Sequence, residues 1–216
     1  MTHRTGRTLA TTAVATALLA CLGCQVSRAP KEGALDGRHG NSSFSPAGAE
    51  KIERTGRAHL DWSTGVLRKA DVGLASDDEP ATWVDGGDRD HPIAVTIDAP
   101  RGRLAVRADD IAVEDHPGEP DIRSVTLRLH PRDDDALIAR LREGVTSYGL
   151  DAGQVETWVA SFADDPRRTC TTLGWSTGPG TTLGLEVSYT VQCKWDGPEQ
   201  IRLVLVDVGP APGESG

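Results

Sequence analysis

The C-terminal third of the chain carries the most regular alternation of apolar and polar residues. From Leu183 to Trp195 every odd position is apolar, and every even position is small, polar or charged. A period of two is typical of a strand that buries one face. Residues 201–208 are apolar on both faces, which predicts a central strand covered on two sides. A further strand is expected over residues 169–175, before a turn rich in glycine and proline.

Shorter alternating runs precede this region. Residues 93–97 and 104–106 alternate on either side of a loop that contains proline and glycine, which predicts a β-hairpin. Residues 124–130 repeat the alternation and predict another strand. Weaker patterns at residues 65–74 and 82–85 suggest two more short strands.

Two helices are predicted between these groups of strands. Over residues 137–148 the apolar side chains recur every three or four positions, three aspartates precede them, and Gly149 suits a left-handed stop. Asp151 and Gln154 are then spaced like a capping box ahead of a second apolar stripe that Pro166 ends. The order β, β, β, α, α, β, β, β predicts an α+β fold, an antiparallel sheet with a pair of short helices packed on one face.

The N-terminus has the proportions of an export signal. Arg4 and Arg7 precede an apolar run, residues 9–20, that ends in small residues. A transmembrane helix needs about 20 apolar residues, so this run is too short to span a bilayer. We therefore expect residues 1–20 to be a signal peptide and the protein to be exported.

The end of this signal resembles the lipobox of bacterial lipoproteins. Leu18, Leu19 and Ala20 precede Cys21, whereas Cys24 follows a poorer match to the same pattern. The resemblance implies that Cys21 becomes the mature N-terminus and carries fatty acyl chains such as palmitate, with Cys24 as the alternative. It also implies a lipid-anchored protein on the extracytoplasmic face of the cell membrane.

Composition sets the domain organisation and narrows the partners. Residues 21–57 are mostly polar, contain several glycines and lack sustained periodicity, so we expect a flexible tether followed by a single domain over residues 58–216. The chain has a formal net charge of −9, which disfavours nucleic acid and anionic lipid headgroups as partners. The composition leaves an envelope protein, a glycan or a small ligand as the candidate partner, and no cofactor is predicted.

Two cysteines fall in the C-terminal β region. In an oxidising compartment Cys170 and Cys193 are expected to form a disulfide, which would stabilise the fold by about 3 kcal/mol. A simple hairpin register would place Cys170 beside Ser188 instead. Either a bulge shifts the register or Cys170 precedes the strand. The absence of CxxC spacing disfavours a metal or redox role.

Two motifs raise alternative functions. Gly174, Ser176 and Gly178 resemble the G-x-S-x-G elbow of α/β-hydrolases, which would imply an extracellular serine hydrolase using Ser176. The last histidine, His130, precedes that serine, so the order of the hydrolase triad is not met.

Acidic residues also cluster in two loops, which suggests a calcium-stabilised module as another alternative, although their spacing is not that of an EF-hand. These residues are Asp85, Asp88, Asp90 and His91, and Glu114, Asp115 and His116.

The tryptophans suggest a binding surface. Trp158 and Trp175 fit core positions, whereas Trp62, Trp83 and Trp195 lie at segment ends where an aromatic side chain could contact a glycan or peptide. We therefore expect a membrane-anchored extracytoplasmic lipoprotein with a domain that binds or scaffolds a ligand without catalysis. No catalytic residue and no metal ligand is predicted.

Overall fold

A computed structural model describes residues 37–75, 83–86, 91–116, 118–170, 174–196 and 199–212. The fold is α+β, as predicted, with two sheets that share one hydrophobic core. A small sheet has the strand order β1, β3, β4, and a large sheet has the order β2, β5, β6, β10, β9, β7, with β8 also paired to β9. The strands are β1 Arg57–Asp61, β2 Val84–Asp85, β3 Ile93–Ala99, β4 Gly102–Ala108, β5 Asp110–Asp115, β6 Ile122–Leu129, β7 Trp175–Ser176, β8 Gly180–Thr182, β9 Leu185–Asp196 and β10 Glu199–Pro210.

The long C-terminal hairpin is the centre of the large sheet. β10 pairs with β9 on one side and with β6 on the other, both antiparallel, which confirms the predicted central strand. Val204, Val206 and Val208 are buried, and the side chains between them are partly covered. The two-faced apolar pattern of this strand therefore reflects its position in the middle of the sheet.

The helices include the predicted pair. Their bounds are α1 Pro46–Thr55, α2 Asp134–Tyr148, α3 Ala152–Asp164 and α4 Pro166–Thr169. Asp133 caps α2, Gly149 ends it with φ 72°, and Asp151 caps α3, as the sequence predicted. α2 packs on β8 and β9, where Gly144 allows close approach: a Cβ there would lie 3.0 Å from the ring of Tyr189.

The N-terminal part of the domain differs from the prediction. The expected tether is wrong for residues 37–57, which contain α1 and the buried residues Phe44 and Ile52. Non-local hydrogen bonds hold this segment, since the Asn41 side chain accepts from the Asp61 amide and the Phe44 amide donates to the Val72 carbonyl at 2.7 Å. The domain therefore begins at or before residue 37.

Three further expectations need correction. The structure has two sheets in place of the single antiparallel sheet that the sequence predicts, and β1 pairs with β3 in parallel in the smaller one. Residues 65–74 contain a 3-10 helix, Lys69–Val72, in place of a strand. Of the strand expected over residues 169–175, Thr169 belongs to α4 and Trp175 begins the two-residue β7, whereas residues 171–173 lie outside the described residues.

The predicted disulfide is confirmed. Cys170 and Cys193 are bonded, with their Cα atoms 5.0 Å apart. Cys170 follows α4 and therefore approaches the sheet from outside the hairpin register, which explains why it does not face Ser188. Cys193 lies within β9, opposite Arg202 of β10.

One charged pair lies inside the core. Lys69 of the 3-10 helix forms an ion pair with Asp115 at the end of β5, and both side chains are only 2% exposed. Apart from the Lys69 ammonium, no group in the part of the chain that the structure describes donates to the carboxylate of Asp115. A buried charge without its partner is strongly destabilising, so this pair constrains how the 3-10 helix meets the large sheet.

Replacement of Lys69 alone tests this constraint. We expect Lys69→Met to lower the free energy of unfolding by about 3–5 kcal/mol, because Asp115 then stays buried without its counter-charge. The double variant Lys69→Met/Asp115→Leu removes both charges and should lower the free energy of unfolding much less than Lys69→Met does. Urea unfolding of both variants measures the difference. A double variant as unstable as the single one would contradict the assignment.

Candidate functional site

A groove along α3 combines aromatic and polar side chains. It has a volume of about 1000 Å³ and runs between α3, α4 and β7. We call it the Trp175 groove, and its polar, charged and aromatic lining residues are Asp151, Gln154, Thr157, Trp158, Ser161, Asp164, Asp165, Arg168, Thr169 and Trp175.

Three stacked aromatic rings form the apolar part of the Trp175 groove. The ring of Trp175 lies 5.4 Å from that of Trp158, which in turn stacks on Phe162 at 4.9 Å. Trp158 and Phe162 are buried, while Trp175 keeps part of its surface exposed. The exposed indole is therefore held rigidly, which lowers the entropy lost when a ligand packs on it.

The wall formed by α3 offers hydrogen-bonding groups. The hydroxyls of Thr157 and Ser161 donate to the carbonyls of Gly153 and Thr157, so each keeps an oxygen that can accept. The carbonyl oxygen of Gln154 accepts from the Gly178 amide at 3.1 Å. Its NH₂ group makes no hydrogen bond within the described ranges and is available to donate.

The charged residues of the Trp175 groove are mostly acidic. Three aspartates, Asp151, Asp164 and Asp165, line it together with one arginine, Arg168. Asp165 also caps α4 through the Arg168 amide at 3.0 Å, which fixes its position. A ligand with negative charge is disfavoured here, whereas a neutral or amine-bearing polar ligand fits.

Of the three tryptophans expected at a binding surface, one lies in the core. Trp62 is completely buried and belongs to the core, which corrects that expectation. Trp83 is partly buried, and the guanidinium of Arg128 lies 3.8 Å above its ring. The side chain of Trp195 lies outside the described residues. Trp175, expected in the core, is instead the partly exposed indole in a groove, and only tertiary packing distinguishes these positions.

Ser176 lies on a strand and not on a nucleophile elbow. It belongs to β7, which pairs with β9 at the edge of the large sheet. Its Oγ lies 2.9 Å from the hydroxyl of Thr190, an exposed contact between two alcohols. A hydroxyl at its ordinary pKa is a poor general base, so this geometry gives no activated nucleophile.

The acidic loops are engaged in internal contacts. Glu114 accepts from Thr126 at 2.7 Å, Asp115 pairs with Lys69, and His116 contacts Arg123 at 3.1 Å. Asp88 and Asp90 lie outside the described residues. Over the ranges that are described, no group of three or more acidic, histidine or cysteine side chains could hold a metal ion.

A charged triad lies on the small sheet. His59 contacts the Gly40 carbonyl through Nδ1 and the Asp98 carboxylate through Nε2, both at 2.9 Å, and Asp98 accepts from Arg103 at 2.6 Å. Burial alone would lower the pKa of His59, but the Gly40 carbonyl, Asp98 and the nearby Asp61 together raise it. Hydrogen bonds from Arg103 and His59 lower the pKa of Asp98. Both ring nitrogens can donate only in the imidazolium form.

Comparison with known proteins identifies no relative. No protein-family model matches the chain, and no curated protein or solved structure matches it at a significant level. The search for a membrane-spanning helix among the described residues finds none that is long and apolar enough. Cys21 and Cys24 lie outside those residues. Function therefore has to be inferred from the geometry of the site and from the N-terminal sequence.

The triad predicts a pH-dependent contribution to stability. Because the folded pKa of His59 lies above its usual 6.5, its contribution is full below about pH 6.5 and is lost as pH rises through the folded value. The lowered pKa of Asp98 makes its contribution present above about pH 4 and lost in acid. We expect His59→Gln to cost up to about 1 kcal/mol near pH 5 and less near pH 9.

Urea unfolding of the wild type and of His59→Gln at the two pH values measures this difference. Replacement of His116, which contacts Arg123 outside the triad, is the control. An effect of His59→Gln that is constant with pH would contradict the assigned charge.

Proposed function

We propose that this chain is a membrane-anchored extracytoplasmic lipoprotein whose α+β domain binds a glycan in the Trp175 groove without catalysis. The observation that carries the proposal is the partly exposed Trp175, stacked on Trp158 beside the hydroxyls of α3. Sugar rings present apolar C–H faces and many hydroxyls, so they require an aromatic surface with hydrogen-bonding groups around it.

The N-terminal sequence and the disulfide support the location. Arg4, Arg7 and the apolar run before Cys21 have the pattern of a lipoprotein signal. The bond between Cys170 and Cys193 is the kind of link that persists in oxidising compartments outside the cytoplasm. The ligands that such a protein meets include the glycans of the cell envelope.

The charge of the Trp175 groove supports a neutral or amino sugar as the class of glycan. Asp164 and Asp165 outnumber Arg168 along the lining, which favours a neutral or amino sugar over an acidic polysaccharide. Ser176 does not line the groove, and its Oγ contacts the Thr190 hydroxyl, so the proposal assigns recognition and not hydrolysis.

Replacement of Trp175 tests the glycan proposal. We expect Trp175→Ala to weaken binding of a soluble oligomer of N-acetylglucosamine about tenfold or more, because the stacking surface is lost. Thr157→Val, which removes one acceptor and keeps the shape, should cause a smaller loss. Isothermal titration calorimetry with the full chain measures both effects.

Trp83→Ala is the matched control, since it removes another partly buried tryptophan that lies outside the groove. It should leave the affinity unchanged. Equal losses in Trp83→Ala and Trp175→Ala, or no binding of the oligomer by the wild type, would refute the proposed ligand.

The lipid anchor has an independent test. We expect Cys21→Ala to abolish incorporation of labelled palmitate and to release the protein from the membrane fraction, because the modified thiol is absent. Cys24→Ala should remain labelled and membrane-bound. Labelling that depends on Cys24 would move the anchor to the alternative residue, and an unlabelled wild type would contradict the lipoprotein assignment.

A further inference from the structure

The outward face of the small sheet is basic. Along β1, β3 and β4 the buried positions alternate with positions that face away from the core. The charged residues at outward positions are three arginines, one histidine and two aspartates: Arg57, His59 and Asp61 on β1, Asp98 on β3, and Arg103 and Arg107 on β4. Ala94 and Thr96 of β3 lie between them. This arrangement contrasts with the net charge of −9 for the whole chain.

Two arginines flank an alanine on this face. The strand register places Arg57 opposite Ala94 on one side and Arg107 opposite Ala94 on the other. Neighbouring strands lie about 4.8 Å apart, so the two arginine Cα atoms are separated by roughly 10 Å. The methyl group of Ala94 leaves room above the sheet between the two long side chains.

Both arginines are unpaired in the part of the chain that the structure describes. Arg57 and Arg107 are exposed, and neither forms an ion pair there. Other arginines nearby are neutralised, since Arg103 pairs with Asp98 at 2.6 Å and Arg140 pairs with Glu143 at 2.7 Å. The excess positive charge is therefore concentrated around Ala94.

The surface around Ala94 is concave. Two depressions of about 670 and 400 Å³ meet there and share Ala94 and Thr96 as common lining residues. The larger depression is also lined by Lys51, Arg57, His59 and Arg103 and has no aspartate or glutamate in its lining. The smaller depression is lined by Arg107 and Arg140 and by one acidic residue, Glu143.

We propose that this basic concavity binds a phosphate group of a ligand, seated over Ala94 between Arg57 and Arg107. Guanidinium groups bind phosphate oxygens through paired N–H donors, and two of them balance the charge of a phosphate dianion. The Thr96 hydroxyl makes no hydrogen bond elsewhere in the described part of the chain and adds a third donor. His59 lies opposite Thr96 in the register and lines the larger depression, where it contacts the Asp98 carboxylate.

The chemistry favours phosphate over carboxylate. A carboxylate has two oxygens, which one arginine satisfies in a bidentate pair. A tetrahedral phosphate has additional oxygens and can accept from Arg57, Arg107 and Thr96 at the same time. The site is distinct from the Trp175 groove, since the two concavities share no lining residue.

Arginine replacements on the two sides of Ala94 test the proposal. The experiment uses the full chain with Cys21 and Cys24 replaced by serine, so that no lipid is attached, and glycerol 1-phosphate as the probe. We expect Arg57→Gln and Arg107→Gln each to weaken binding about tenfold to a hundredfold, because each removes charge-assisted hydrogen bonds. Arg57→Lys should recover part of the affinity, since it restores the charge but not the paired donors.

Arg142→Gln is the matched control, because it removes an exposed arginine on α2 that pairs with Glu156 and lines neither depression. It should bind as the wild type does. An equal loss in this variant, or no binding of glycerol 1-phosphate by the wild type, would overturn the site. Trp175→Ala should keep phosphate binding, which separates this result from the glycan test.

Vesicles identify the source of the phosphate. The same proteins are sedimented with vesicles of phosphatidylcholine, with or without phosphatidic acid, whose headgroup is a phosphate monoester. Loss of phosphatidic-acid-dependent sedimentation in Arg57→Gln, together with binding of glycerol 1-phosphate, supports the site with a lipid headgroup as ligand. Binding of glycerol 1-phosphate without vesicle binding supports it with a soluble or polymeric phosphate. Vesicle binding that Arg57→Gln and Arg107→Gln leave unchanged, without binding of the soluble ester, overturns it.

Discussion

The buried ion pair between Lys69 and Asp115 is the constraint on which the arrangement of the N-terminal segment depends. Both side chains are almost inaccessible to water, and they join the 3-10 helix to β5 of the large sheet. The cost of burying either charge alone is several kcal/mol, so the two segments meet stably only where the charges coincide. The apolar core that surrounds the pair is continuous between the two sheets.

The same packing determines where polar chemistry can occur. Because the core-facing sides of both sheets are filled by apolar residues, groups able to bind a polar ligand are displaced to outward faces. The small sheet presents its arginines there, and α3 presents its hydroxyls beside Trp175. The acidic net charge of the whole chain does not predict the charge of either surface, because a sum over all residues does not show a local excess of one sign.

Local signals in the sequence predicted local structure well. The alternation in β9 and the caps at Asp133, Gly149 and Asp151 each depend on residues close together in the chain, and the structure contains all of them. The order of helices and strands, and hence the fold class, follows from such signals. The disulfide was predictable as well, because the export expected from the N-terminal pattern would leave Cys170 and Cys193 as natural partners.

Non-local contacts explain what the sequence did not show. Residues 37–57 have no periodic pattern, and they are ordered by distant partners such as Asp61 and Val72. β1 is short and pairs in parallel with a strand more than thirty residues later, so no turn signal connects the two. Likewise, Trp62 and Trp175 both precede the tripeptide Ser-Thr-Gly, yet one is buried and the other lines a groove. Exposure of a tryptophan is a property of tertiary packing.

The disulfide supports the geometry of the proposed site in the Trp175 groove. Cys170 ends α4, one wall of the Trp175 groove, and the disulfide ties it to Cys193 on β9. Trp175 is held by the same strand, because β7 pairs with β9 at Val191, two residues before Cys193. Both walls of the groove are thus fixed to neighbouring positions of one buried strand. Formation of the disulfide therefore completes the support of the aromatic surface, and a preorganised surface loses less entropy when it binds a ligand.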